Sequence, residues 1–168
     1  MSLSPELVVL ARAAASNHAL DFTFSVSSVI YAGTALVGAV VEQESAWDTH
    51  AIRYEPAFRT RYVAPLGLPP TEEVARSMSW GLMQVMGQVA REHGFSGKFL
   101  SALCEPASGL DIGCAVLASK LAAVAGPERP GQGITLTEDE VARALQLWNG
   151  GANPDYAAQV LARLPRYK

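Results

Sequence analysis

The stretch Val37–Trp47, read VGAVVEQESAW, decides how the rest of the chain is interpreted. Val37, Val40 and Val41 recur at helical spacing, and Glu44 continues the same stripe. A glutamate on an apolar stripe needs a partner or a task, because removing its charge from water is costly. Desolvation also raises the pKa of a carboxyl group, so that the group can donate a proton near neutral pH. We therefore take Glu44 as the candidate catalytic residue.

The composition is that of one compact domain, which we expect to span residues 1–168. Of the 168 residues, 49% are apolar and 17% are charged, enough for a substantial core. The net charge is −3 and no cluster of Lys and Arg occurs, so we expect no nucleic-acid partner. The three histidines are scattered without ligand spacing, and we predict no metal site and no cofactor. Cys104 and Cys114 are interpreted as buried hydrophobes, with a single disulfide as the alternative.

Two segments of the sequence are relevant to membrane insertion and export. Phe22–Val41 has the length of a membrane helix and no charge, but it is rich in Ser, Thr and Gly and is flanked by Asp21 and Glu42. We expect a buried core segment and no stable membrane span. Met1–Asn17 lacks a basic n-region and a small-residue cleavage site, so no signal peptide is visible. The export route stays open between a phage or secretion context and a trimmed leader.

Helical patterns dominate the chain. Ser4-Pro5 predicts a helix start, with the helix ending near Asn17, and Thr137–Glu140 is a capping box. Phe22–Val26 shows a weak strand-like alternation, which an extended lead-in or an extra helix would also explain. The remaining helices are predicted at Val29–Val41, Thr71–Met78 with Thr71 as N-cap, Gly81–His93, Lys98–Cys104, Ser108–Val124, from Thr137 through Trp148, and from Asn153-Pro154 through Leu164.

The prolines favour loops between these helices. Asp48–Pro70 predicts a long ordered loop with a helical turn at 55–62, and Gly126–Thr135 a Gly/Pro loop. The sequence therefore predicts an all-α domain of about eight helices, with a long ordered loop after the helix that carries Glu44.

Three segments carry a family resemblance when they are taken together. They are Glu44-Ser45-Ala46-Trp47, then Gly81-Leu82-Met83-Gln84-Val85-Met86 preceded by Ser79-Trp80, and Trp148-Asn149-Gly150-Gly151. In this order they resemble the motifs of the soluble lytic murein transglycosylase (SLT) family, which has a lysozyme-like catalytic domain. The resemblance covers roughly residues 36–161. The Trp-Asn-Gly-Gly variant and the long loop are more similar to phage or mobile-element members than to housekeeping ones.

The resemblance implies a reaction and a partner. Members of this family cleave the β-1,4 bond between N-acetylmuramic acid and N-acetylglucosamine in peptidoglycan glycan strands. The muramic C6 hydroxyl attacks in place of water and leaves an anhydro-muramyl end. One glutamate, here Glu44, serves first as acid and then as base. We accordingly expect an enzyme that acts on the cell wall, in the periplasm or outside the cell, as a monomer.

The same resemblance implies the remaining site residues. Gln84 would hydrogen-bond the substrate and Met86 would line the cleft, although core packing also explains Met86. Gly81 would allow close backbone approach at a helix start. Ser45 would hold the carboxylate or simply bond its own helix backbone. Asn149 belongs to the third motif, where an αL helix cap is the structural alternative.

This chain departs from the family pattern at two positions. The family has a tyrosine where Trp148 stands, and an indole offers only its N–H group. Tyr156, Tyr54 or Ser79 are candidates to supply the missing contact. The serine usually found nine residues after the glutamate is Arg53, and Ser79 is the candidate replacement.

Two alternatives follow. A lysozyme-like hydrolase would use water and a second carboxylate, and the other acids near the first motif are Glu42, Asp48 and Glu55. Asp48 lies one turn past Glu44 and could be close, whereas Glu42 lies on the opposite helix face. A catalytically silent cell-wall-binding domain would keep the fold without the chemistry.

Overall fold

Helices form most of the computed structural model, which describes residues 4–125 and 134–168. This confirms the predicted all-α, lysozyme-like class. The α-helices are α1 (Pro5–Asn17), α2 (Gly33–Ser45), α3 (Pro56–Phe58), α4 (Pro70–Arg76), α5 (Gly87–Glu92), α6 (Pro106–Ala125), α7 (Glu138–Trp148) and α8 (Tyr156–Leu161). A π-helical turn covers Arg59–Val63, and 3-10 turns cover Ala64–Leu66, Leu100–Cys104 and Leu164–Tyr167.

Two small sheets, which the sequence did not predict, accompany the helices. Their strands are β1 (Thr23–Val26), β2 (Val29–Ala32), β3 (Ile52–Tyr54), β4 (Met78–Trp80), β5 (Val85–Met86) and β6 (Thr135–Leu136). One sheet has the order β2-β1-β6, with β1 antiparallel to β2 and parallel to β6. The other has the antiparallel order β3-β4-β5.

Helix α2 is the central helix, as the apolar run predicted. Eight of its thirteen residues are buried, and α1, α8 and the C-terminal turn pack around it. Gly38 makes this packing possible, since a Cβ atom there would lie 2.6 Å from the Tyr167 ring. The helix begins at Gly33, so the predicted start at Val29 is wrong. Helix α6 also belongs to the core, where it packs against α1 and α7.

The four residues before α2 form strand β2 because the chain turns sharply at Ser27-Ser28. Both serines have left-handed backbone angles, with φ of 49° and 68°. Two consecutive residues with positive φ make the tight turn of a β-hairpin, which pairs Val26 with Val29. The strand-like alternation at Phe22–Val26 is thus a strand, with Phe24 fully buried.

Two segments of the structure are relevant to membrane insertion. Phe22–Val41, considered above as a membrane span, is divided between the β1–β2 hairpin and α2. Among the described residues, α6 alone is long and apolar enough to cross a membrane. Core helices share that length and composition, so this is weak evidence for a span.

The second motif does not form the helix predicted for Gly81–His93. Gly81–Gln84 is instead the turn between β4 and β5, and α5 begins only at Gly87. Gly81 has a φ of +67°, and a Cβ atom at this position would lie 2.3 Å from the Leu103 carbonyl oxygen. The apolar spacing of Leu82, Val85 and Met86 suggested a helix, but the left-handed angle at Gln84 (φ 49°) reverses the chain. The predicted close approach of backbone at Gly81 therefore occurs in a turn and not at a helix start.

The segment after α2 is ordered, as predicted, and it consists largely of a short strand and helical turns. Pro56 begins α3, and the π-helical turn continues it, so a helical turn exists where it was predicted. Strand β3 was missed. Helix α4 begins at Pro70 with Pro69 at the N-cap position, so the assignment of Thr71 as N-cap is wrong.

Most other helix boundaries differ from the predictions by a few residues. The Thr137 capping box forms as predicted, with Thr137 and Glu140 bonding each other's backbone N–H groups. Ser4 occupies the N-cap position of α1 without a side-chain cap bond. The last helix begins at Tyr156 and not at Asn153. Of the predicted Gly126–Thr135 loop, residues 126–133 lie outside the described residues, and Thr135 is in β6.

Both cysteines are free, so the disulfide alternative is wrong. Cys114 is fully buried in α6, and burial raises the pKa of its thiol to about 12. Cys104 is half-buried at the end of a 3-10 turn, where burial also raises the pKa of its thiol. Both side chains are packed as small apolar groups.

Two of the left-handed glycines, Gly81 and Gly94, allow a matched test of the turn. Gly94 (φ +88°) has open space where a Cβ would lie, so Gly94→Ala should lose only about 1 kcal/mol of unfolding free energy through backbone strain. Gly81→Ala adds a clash with fixed backbone and should lose roughly 2–4 kcal/mol. Urea denaturation of both variants measures the difference. Equal losses would show that the Leu103 contact does not constrain the turn.

Candidate active site

Glu44 lies in the last turn of α2 and faces a cleft of about 520 Å³. The cleft walls come from the segment after β3, the β4–β5 hairpin, α6 and the loop after α7. The residues lining it are Glu44, Arg53, Glu55, Ala57, Phe58, Arg61, Tyr62, Ser79, Gln84, Val85, Met86, Val89, Val116, Lys120, Leu147, Trp148, Asn149, Gly150 and Ala152.

Two donors hold one oxygen of the Glu44 carboxyl group. The Trp148 indole N–H donates to Oε1 at 2.9 Å, and the Tyr156 hydroxyl donates to the same oxygen at 2.5 Å. No described residue hydrogen-bonds Oε2. The carboxyl group is therefore fixed through one oxygen, while the other is left for a molecule in the cleft.

The surroundings of Glu44 favour its protonated form. Burial raises the pKa of the carboxyl group, and this outweighs the hydrogen bonds from Tyr156 and Trp148 and the charge of Arg53, which lower it. The negative end of the α2 dipole also lies at this turn and further disfavours a carboxylate. Burial and the neighbouring Glu44 raise the pKa of Tyr156, so its hydroxyl stays protonated and remains a donor.

The third motif positions both donors. Trp148 is the last residue of α7 and Tyr156 the first of α8. The connection between them turns at Gly150 and Gly151, whose φ angles are +67° and +75°. The Asn149 amide stabilises this turn: oriented so that its oxygen faces the Asn153 N–H, it accepts a hydrogen bond from that group at 2.8 Å. Asn149 also lines the cleft, so it can cap the end of α7 and still contact a bound molecule.

The C-terminal turn Leu164–Tyr167 packs against α2 and holds its end in place. Ala46 and Trp47 both adopt left-handed angles (φ 50° and 67°), which end the helix directly after Ser45. The Trp47 indole donates to the Tyr167 hydroxyl at 2.8 Å, and that hydroxyl donates to Glu42 Oε2 at 2.6 Å. Arg166 pairs with Glu42 as well. Non-glycine residues in this region are strained, so these contacts are what keep the turn in place.

Ser45 and Gln84 bond mainly within the protein. The Ser45 hydroxyl donates to the Leu82 carbonyl at 2.8 Å and so ties α2 to the β4–β5 turn. The Gln84 amide donates to the Ala51 and Gly81 carbonyls, at 2.8 and 2.9 Å, and accepts from Ser79 at 2.8 Å. Its polar atoms therefore brace the turn, although the residue lines the cleft.

Of the other predicted site residues, some line the cleft and others do not. Met86 is half-buried in the cleft wall. Ser79 is 2% exposed, and its hydroxyl bonds Gln84 and not Glu44. Gly81 and Tyr54 do not line the cleft, and Tyr54 is 43% exposed. Of the three candidates for the missing tyrosine contact, only Tyr156 touches Glu44.

The cleft contains a second carboxyl group, which belongs to Glu55. Glu55 lines the cleft and pairs with Arg53, with 2.5 Å between Oε1 and Nε. Asp48, which we considered as a second carboxylate, instead accepts the His50 N–H outside the cleft. Lys120 was missed, and its only signal was a lone charge in the second half of an apolar helix.

One comparison with known proteins gives a match. The family model described as "Transglycosylase SLT domain" matches residues 31–160. No curated protein and no solved structure matches the chain. The matched range contains Glu44, Trp148 and Tyr156 together with every wall of the cleft.

The raised pKa of Glu44 predicts a pH-dependent stability difference for Glu44→Gln. The folded protein holds the Glu44 proton to a higher pH than the unfolded chain, whose value is near 4.5. Unfolding free energy is therefore lost as the pH rises from about 4.5 through the folded pKa. Glu44→Gln should remove this loss, so the variant gains stability relative to wild type at pH 8 compared with pH 4.

Urea denaturation at the two pH values measures this difference. Glu6→Gln, at an exposed position of α1, controls for the loss of a charge alone. A relative gain at pH 4, or the same difference at both pH values, would contradict the raised pKa.

Proposed function

The chain belongs to the transglycosylase SLT-domain family, and from this premise we propose that it is a peptidoglycan lytic transglycosylase with Glu44 as its single acid and base. The substrate bond is the β-1,4 link between N-acetylmuramic acid and N-acetylglucosamine. The observation that carries the proposal is the asymmetric Glu44 carboxyl group, with Oε1 held by two donors and Oε2 without a described partner.

In the first step Glu44 acts as an acid. Its proton resides on Oε2, because Oε1 already accepts two hydrogen bonds and serves as the carbonyl oxygen of the neutral acid. Oε2–H protonates the glycosidic oxygen while the bond between that oxygen and the muramic C1 breaks. Positive charge develops at C1, and the glutamate becomes a carboxylate. The hydrogen bonds from Trp148 and Tyr156 stabilise the new charge, since both favour the ionised form.

In the second step the same group acts as a base. The Glu44 carboxylate accepts the proton of the muramic C6 hydroxyl, and the C6 oxygen bonds to C1. The product carries a 1,6-anhydro ring, and Glu44 is protonated again, ready for the next cycle. Burial supports both steps, because a carboxyl group whose pKa lies closer to neutrality both gives and takes a proton readily. The nucleophile comes from the substrate, so no second carboxylate is required.

Tyr156 supplies the hydroxyl contact that Trp148 lacks. In the family pattern a tyrosine stands at the position of Trp148, whereas here the indole and the Tyr156 phenol share one glutamate oxygen. We propose that the pair does the orienting work. Ser45, Gln84, Ser79 and Gly81 then serve the site by holding the β4–β5 turn against α2, and Met86 and Asn149 by lining the cleft.

A hydrolase is the second candidate, because Glu55 shares the cleft with Glu44. Inverting glycosidases activate water with a second carboxylate, and Glu55 is the residue for that task. Its Oε1 is engaged in the ion pair with Arg53 and is not free to accept a proton from water, which favours the transglycosylase.

The proposed substrate sets the place of action at the cell wall, in the periplasm or outside the cell. We further propose that residues 1–168 act as one domain. The monomeric state, the export route and the phage or mobile-element context stay predictions.

The products of purified peptidoglycan test the mechanism. Wild type should release muropeptides with anhydro-muramyl ends, which mass spectrometry separates from reducing ends by the mass of one water. Glu44→Gln should lower the rate about 100- to 10,000-fold while keeping the fold, checked by circular dichroism.

Glu55→Gln is the matched control and should keep most of the anhydro product. Reducing ends that disappear in Glu55→Gln would favour the hydrolase. Unchanged lysis in Glu44→Gln would contradict the role of Glu44, and absence of lysis by wild type with retained wall binding would favour the silent domain.

A further inference from the structure

The charges in the cleft do not balance. Arg53, Arg61 and Lys120 line it together with the acids Glu44 and Glu55. Arg53 and Glu55 neutralise each other through their ion pair. Glu44 is uncharged in the form that begins the proposed reaction. Two positive charges, on Arg61 and Lys120, are then left facing the cleft.

Neither of these cations has an acidic partner. In the described parts of the chain, no carboxylate lies within 4 Å of the Arg61 guanidinium or the Lys120 ammonium group. Arg61 instead lies over the Tyr62 ring, 5.1 Å from its centre, which restricts the guanidinium without neutralising it. By contrast, Arg59, Arg76 and Arg91 nearby are all paired with Glu72 or Glu73.

Lys120 is the less exposed of the two. It is half-buried on α6, one turn after Val116, and both residues face the cleft. A lysine packs its aliphatic stem against apolar surface and keeps its ammonium group in water. Since Lys120 lines the cleft, its charge lies at the solvent of the cleft. Helix α6 thus supplies Lys120 to the cleft, and the Arg59–Val63 turn supplies Arg61. Two unpaired cations in one cleft are suited to binding an anion.

The glycan backbone itself does not supply that anion. Its N-acetyl and hydroxyl groups are neutral, so the negative charges of the substrate lie on the muramic acid substituents. These are the carboxylates of the stem peptide or, where the peptide has been removed, the lactyl carboxylate. We propose that Arg61 and Lys120 bind these substituent carboxylates and make the enzyme prefer carboxylate-bearing glycan, an inference that rests on the proposed function.

Three forms of one peptidoglycan preparation test this preference. The first keeps its stem peptides, the second is stripped by an amidase so that only the lactyl carboxylate remains, and the third has its carboxylates converted to neutral carboxamides. Wild type should show the lowest kcat/KM on the amidated form. Comparison of the first two forms identifies the carboxylate that is recognised.

The preference ratio is kcat/KM on the preferred carboxylate-bearing form divided by kcat/KM on the amidated form. The variants Arg61→Gln and Lys120→Gln should each lower kcat/KM on the preferred form about threefold, and the preference ratio should fall by the same factor. Arg61→Lys and Lys120→Arg, which keep the charge, should retain most of the preference. Arg12→Gln and Lys98→Gln remove exposed cations outside the cleft and should leave the ratio unchanged. The preference should also weaken with added salt.

An unchanged ratio in both cleft variants, or equal rates on native and amidated glycan, would overturn the inference. If wild type cleaves none of the three forms, the proposed function fails separately. Binding of the same forms, measured by co-sedimentation, then decides the inference, since Arg61 and Lys120 should still favour the carboxylate-bearing forms.

Discussion

The site depends on a carboxyl group that is removed from water and yet held by two hydrogen bonds. Desolvation alone would make Glu44 a poor acid, because it raises the pKa, and strong hydrogen bonds alone would make its carboxylate a poor base, because they lower the pKa. Trp148 and Tyr156 lower the pKa while burial raises it, and burial prevails. Because the two effects oppose each other, Glu44 can donate its proton and can also accept one back.

This balance requires three parts of the fold to meet. Helix α2 brings the glutamate, and α7 and α8 bring one donor each through a loop that turns at two glycines. The β4–β5 turn is fastened to α2 by the Ser45 hydroxyl, and the C-terminal turn is fastened to it through Trp47, Tyr167 and Glu42. Residues that do not line the cleft therefore help to set the position of the carboxyl group.

The sequence predicted the parts of this arrangement that follow from local pattern. The apolar run of α2, the Thr137 capping box and the Glu44 stripe each depend on residues within one or two turns, and the helical class follows from them. The β1–β2 hairpin was not predicted, because Ser27-Ser28 is not a typical turn sequence and the apolar run from Val29 onward favours a helix. The helix predicted at Gly81 was wrong because left-handed angles at Gly81 and Gln84 form a turn there. The Leu103 carbonyl, distant in sequence, leaves room only for glycine at this turn. Tyr156 was one of three candidates for the Glu44 contact, and only tertiary structure separates them. Lys120 enters the cleft through the packing of α6, which no local pattern reports.

The central claim is that Glu44 is protonated at a higher pH than an ordinary glutamate. Carbon-13 NMR of the side-chain carboxyl groups, with the Glu44 signal assigned through Glu44→Gln, measures this directly. We expect a titration midpoint above 4.5, and a still higher one in Tyr156→Phe, where a hydrogen bond that lowers the pKa is lost. A midpoint at or below 4.5 in the wild type, or a decrease in Tyr156→Phe, would contradict the account.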